Sequence, residues 1–136
     1  MVSEKVDSII ARHGFWICLL ISYGAILLNF TGLWQLCIIP PVIGGFFIKK
    51  KASIAWWAGF LGVLVAWLTL LLYFISTQPA LELADLLMEI IIGSPGLGIV
   101  GMVLTLVIGG CLGGFGALIG FSVMQVLQKS DTRPEE

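Results

Sequence analysis

The chain has 136 residues, of which 59% are hydrophobic and 11% charged, with a mean hydropathy of +1.08. Soluble domains carry about 25% charged residues, so water is not the main solvent of this one. A formal net charge of −1 and the lack of any basic stripe exclude a nucleic-acid binder that works by neutralising phosphates.

Three charge-free runs, residues 14–48, 52–81 and 90–128, dominate the chain. About 20 apolar residues cross a ~30 Å hydrocarbon layer. The expected fold is therefore an all-α integral membrane protein, a single membrane domain holding a bundle of four transmembrane helices. The first apolar segment follows residues that include Glu4 and Asp7, with no small-residue cleavage site after it, and reads as retained rather than as a signal peptide.

As one helix, residues 14–48 would be ~52 Å long, so the run must turn, and Asn29-Phe30-Thr31-Gly32 supplies the chemistry. This predicts helices over residues 14–30 and 33–48. Pro40 and Pro41 should kink the second of them, because proline removes a backbone donor and crowds the preceding turn. The third helix is predicted over 54–75, stopped before Gln78-Pro79. A short amphipathic helix over 79–92 follows, with Pro79 at its first position and Gly93 and Pro95 as its stop. The fourth is predicted over 97–127. Its ~46 Å length should force it to tilt, protrude or break, the weak point being Gly109-Gly110 to Gly113-Gly114.

All seven basic residues fall on one side of this four-helix arrangement, and Glu82, Asp85 and Glu89 on the other. The positive-inside bias then puts both termini and Lys49–Lys51 in the cytoplasm of a multi-pass protein of the cell membrane. Trp16, Trp56 and Trp57 would sit at inner boundaries, Trp34 and Tyr73 at outer ones. The rival is a three-crossing arrangement in which residues 33–48 are re-entrant around Pro40-Pro41.

The halves of the chain also match one another. Gly14-Phe15…Leu27-Leu28-Asn29-Phe30 aligns with Gly59-Phe60…Leu71-Leu72-Tyr73-Phe74, and Gly32-Leu33…Gly44-Gly45 with Gly96-Leu97…Gly109-Gly110. Two tandem hairpins of the same orientation would follow, the acidic amphipathic helix being an insertion in the second.

Intramembrane ionisable residues, which mark proton relays and coupled transport, are missing from the predicted spans. His13 stands alone at a boundary, so a haem held by two histidines of one chain and a Ser-His-Asp or Cys-His catalyst both lack their parts. No residue set asks for a metal or cofactor. Cys18, Cys37 and Cys111 lie far apart in apolar sequence and read as buried, unpaired thiols. Ser22, Tyr23, Gln35, Thr69, Thr105, Ser122 and Gln125 are expected to hydrogen-bond between helices or to backbone. Glu82, Asp85 and Glu89 share one helical face, read as a solvated surface or alternatively as a cation-collecting patch.

Glycine is the strongest local signal. Ten of the 17 lie between Gly93 and Gly120, and Gly109/Gly113, Gly110/Gly114 and Gly116/Gly120 are each spaced G-x-x-x-G. That spacing bares one helical face for close approach of another helix. The expected function is a non-catalytic scaffold or accessory subunit, set in membrane lipid, that forms a homo-oligomer or joins a larger membrane complex through this face. The alternative is an uncoupled channel or permease lined by backbone at the glycines and the Pro40-Pro41 kink.

Overall fold

The computed structural model describes residues 2–30, 32, 34–49 and 51–131, with side chains undescribed at 2–12, 30, 34, 35 and 131. All the regular elements are helical. They are α1 (Val2–Tyr23), α2 (Ala25–Phe30), a 3-10 turn at Trp34–Ile38, α3 (Ile39–Gly45), α4 (Ala52–Thr77), α5 (Ala80–Ile92) and α6 (Gly98–Asp131). Two helical stretches, Ala52–Thr77 and Gly98–Ser130, are long and apolar enough to cross a membrane.

The first predicted helix starts earlier than expected and is broken. α1 already begins at Val2, and it ends where Gly24 N–H bonds the carbonyls of Leu20 and Ile21 before α2 resumes. The turn at Gly32 is where the sequence puts it, with φ of +76° and its N–H on Asn29 O at 3.2 Å.

The second predicted helix is corrected more strongly. Residues 34–45 form a 3-10 turn followed by seven residues of α-helix, together about 20 Å against a ~30 Å hydrocarbon layer. Pro40 and Pro41 do not kink a helix. They stand in the first turn of α3, where the missing N–H groups would have had no intrahelical acceptor anyway.

α4 matches its expected bounds within two residues at each end. Its buried face is Ala55, Ala58, Gly59, Gly62, Val63, Ala66 and Leu70, a helical stripe of mostly small side chains. α5 begins one residue after Pro79, which is its N-cap, and ends at Gly93 in the left-handed conformation with its N–H on Glu89 O at 2.8 Å.

α6 is unbroken over 34 residues, about 51 Å, so the expected weak point at Gly109–Gly114 is absent. Interior glycine weakens a helix partly by exposing backbone to water. These glycines are buried, and freeing a carbonyl in apolar surroundings costs several kcal/mol.

Contacts set the direction of the elements. Phe15 and Cys18 cluster with Ile54, Ala55 and Ala58, and Gly62 meets Leu19 and Ser22 further along both helices, so α4 runs parallel to α1. Gly59 meets Gly113 and Trp67 meets Gly109, so α6 runs antiparallel to α4. Ile38 and Pro41 lie at Gly116, and Val42 and Gly45 at Gly120, so α3 runs parallel to α6. The two hairpins thus share one orientation, and the matched glycines Gly32 and Gly96 both have positive φ. Register departs from a symmetric repeat: Gly45, matched in sequence to Gly110, lies against Ala117 and Phe121 instead, two turns further along α6.

Candidate functional site

All six glycines of the G-x-x-x-G pairs are buried within the chain, where they face two different elements. Toward α4, a Cβ on Gly109 would stand 2.7 Å from the Trp67 ring, on Gly110 2.8 Å from Phe60, on Gly113 2.5 Å from Gly59 O and Val63, and on Gly114 2.7 Å from Trp56 Nε1. Toward the 34–45 segment, a Cβ on Gly116 would stand 3.0 Å from Ile38, and one on Gly120 would run into the carbonyl of Val42. Bare backbone here admits aromatic rings on one side and another backbone on the other. The neighbours at all six positions belong to the chain itself.

The aromatic belt is split. Trp16 and Trp57 are 61% and 52% exposed, as boundary anchors would be. Trp56 instead stacks on Phe60, centroids 5.0 Å apart, and lies over Gly114. It is a packing residue of the seam, and only its position near the start of α4 made it look like an anchor.

The mildly polar side chains bond mainly within their own helices. Thr69 Oγ1 donates to Val65 O at 2.8 Å and Thr105 Oγ1 to Gly101 O at 2.9 Å, as serine and threonine do when no better acceptor is near. Ser22 is buried and lies 3.9 Å from Cys18 Sγ, one turn away. Cys18 and Cys37 are buried, Cys111 is half-buried, and none is in a disulfide.

The acidic trio divides. Asp85 Oδ1 accepts the backbone N–H of Gly98 at 2.5 Å, holding the first residue of α6 against α5. A carboxylate there answers an unpaired amide and the positive end of the helix dipole. Gly98 is required by the same contact, since a Cβ would lie 2.5 Å from that oxygen and 2.7 Å from Asp85 N. Glu82 and Glu89 are exposed. Among the described residues, no three or more His, Cys, Asp or Glu side chains form a set able to hold a metal ion. Asp85→Ala is expected to cost about 1 kcal/mol and to speed hydrogen exchange at the Gly98 amide, with Glu82→Gln and Glu89→Gln silent. Equal effects from all three substitutions would remove the distinction.

The feature that the sequence reading missed is a cleft. Beyond Trp67 and Gly109 the lining of α4 and α6 is mostly large, with Leu70, Leu71, Phe74, Met102 and Leu106. A hollow of about 200 Å³ opens there, lined by Asn29 of α2, Trp67, Leu71 and Phe74 of α4, and Met102 and Thr105 of α6. A second, of about 310 Å³, adjoins it through Leu71, Met102 and Thr105 and runs under Leu87, Met88 and Ile91 of α5. The change from small to large residues along both helices was the available signal.

Comparisons with protein-family models, curated proteins and solved structures find no match to this chain.

Proposed function

We propose that the protein is a non-catalytic membrane scaffold or accessory subunit. It crosses the bilayer four times, the short second segment being continued to Ile48 by the turn bonds of Phe46, Phe47 and Ile48, with both termini and the Lys49–Lys51 segment cytoplasmic, and it acts by self-association or by joining a larger membrane complex. The supporting observation is the chemistry of the interior, where Ser22 is the only buried polar side chain among the described residues. Beside that hydroxyl the interior holds apolar side chains, the unpaired thiols of Cys18 and Cys37 and the indole N–H of Trp67, and a thiol or hydroxyl without an acid or base beside it does not support catalysis or proton transfer.

With the glycines packed internally, contact with a partner falls to the outward face of α6, where Ile108, Leu112, Phe115 and Ile119 are exposed. The alternative, an uncoupled channel or permease for a small solute or ion, needs unwound backbone to line its path. An α6 continuous through its glycines, and prolines that open a helix, weigh against it.

Topology is tested with single cysteines in a background lacking Cys18, Cys37 and Cys111. Those at Ser3, Lys50 and Ser130 should resist an impermeant thiol reagent on intact cells, and one at Glu82 should react. Reaction at Lys50 without reaction at Ser3 would replace four crossings by three. For the scaffold itself, extraction in native lipid should show the chain co-migrating with a second copy or a larger complex. A chain recovered solely as a monomer at its natural abundance overturns that role.

A further inference from the structure

We infer that the cleft between α4 and α6 holds an acyl chain of a zwitterionic phospholipid, seated between the two long helices and covered on one side by α5. The inference rests on the membrane reading above.

The lining decides the chemistry of the occupant. Its side chains are chiefly Leu, Phe and Met, and its two small polar members are turned to their own helices, Thr105 to Gly101 O and Asn29 Nδ2 to Ala25 O at 3.0 Å. The indole N–H of Trp67 has no acceptor but is itself buried. A polar solute would thus find few groups to replace its hydration, whereas a hydrocarbon chain brings no polar group that needs a partner. The two hollows, sharing three lining residues, together fall within the ~300–1,000 Å³ range of small-molecule sites. Met88 of α5 and Met102 of α6 both line the second hollow, and their flexible thioethers adapt to an irregular chain.

Charge selects the headgroup. Between residues 52 and 128 the sequence contains no lysine or arginine, and its only charges are Glu82, Asp85 and Glu89 on α5. These carboxylates lie outside the lining of the cleft, with Asp85 already accepting from Gly98. A headgroup lodged along α5 nevertheless has Glu82 and Glu89 as its nearest charges in this stretch and no base, which favours the ammonium of phosphatidylcholine or phosphatidylethanolamine over an anionic headgroup.

The test uses the full chain reconstituted in equimolar phosphatidylcholine and phosphatidylglycerol vesicles, then extracted in mild detergent for native mass spectrometry. Wild type and Val103→Phe, which alters an exposed residue outside the lining, should each retain one phosphatidylcholine per chain. Thr105→Phe, which fills the space shared by both hollows, should lower that retention at least tenfold. Equal retention by all three proteins, none by wild type, or preferential retention of phosphatidylglycerol overturns the proposal.

Should Thr105→Phe fail to fold, a phosphatidylcholine with a diazirine on its acyl chain decides the question in wild type. Adducts on Met88 and Met102 support the site, and adducts confined to outward positions such as Ile99 and Val103 overturn it. Alkaline carbonate washing of the same vesicles keeps the premises separate. A chain that resists extraction but holds no lipid loses only the cleft occupant, whereas a chain released by carbonate loses the membrane reading itself.

Discussion

Gly45→Ala and Gly120→Ala are each expected to lower the thermal stability of the single chain, whereas Gly101→Ala causes no loss. At the first two positions the obstacle is backbone. A Cβ on Gly120 would run into the Val42 carbonyl, and one on Gly45 into the Ala117 carbonyl. Neither oxygen can swing away as a side chain would, so α3 must lift from α6 at the cost of an overpacked contact, about 1–3 kcal/mol. At Gly101 the nearest atoms are Cγ and Sδ of Met88, 3.0 Å from the added carbon, and a methionine can turn aside. The double substitution Gly109→Leu with Gly113→Leu should be worse than either alanine, because it wedges α4 from α6 at the Trp67 ring and at the Gly59 backbone. Melting of the purified monomer in detergent, followed by light scattering or fluorescence, reads all of these. Should these variants lose a dimer or complex while the monomer melts as wild type does, the glycines face an external partner and the internal seam is wrong.

Where termini were written in punctuation residues, the sequence could be read. The end of α4 and both ends of α5 fall at Gln78-Pro79 and Gly93, and proline and left-handed glycine act locally. The break between α1 and α2 could not be read, because Gly24 stands in a uniformly apolar run and an isolated glycine inside a helix is usually tolerated. The 34–45 segment misled for a related reason. Prolines inside an apolar run suggest a kink, and only the fold reveals that the α-helix begins just before them. In α6 the opposite error arose, since glycine was weighed by its cost to an isolated helix rather than by the neighbours that bury it.

The same limit applies to the site. G-x-x-x-G spacing announces a close contact and is silent about its partner, and here the partners are Gly59, Val63, Val42 and Gly45 of the chain itself. Asp85, Glu82 and Glu89 look equivalent on a helical wheel. What separates them is the return of the chain through residues 93–97, which brings the Gly98 amide to Asp85 alone. The cleft depends on where α4 and α6 part, a tertiary property that neither helix encodes by itself.

Trp67 joins the glycine seam to the cleft, and its two substitutions should behave differently. The ring lies against Gly109 and packs on the buried cluster of Ala25, Cys37 and Val63, while also lining the cleft. Trp67→Ala would extend the cleft into the seam and remove contacts to three helical segments, a loss of about 3 kcal/mol for a partly exposed tryptophan. Trp67→Phe keeps an aromatic ring over Gly109 and deletes an N–H that is buried with no acceptor. An unsatisfied donor of this kind costs ~1–3 kcal/mol, so its removal offsets the smaller ring, and the variant should melt within about 1 kcal/mol of wild type. Parallel melts of the three proteins in the same detergent give the comparison. If Trp67→Phe proves as damaging as Trp67→Ala, the indole N–H has an acceptor in the folded protein, and the apolar lining assigned to this part of the cleft is wrong.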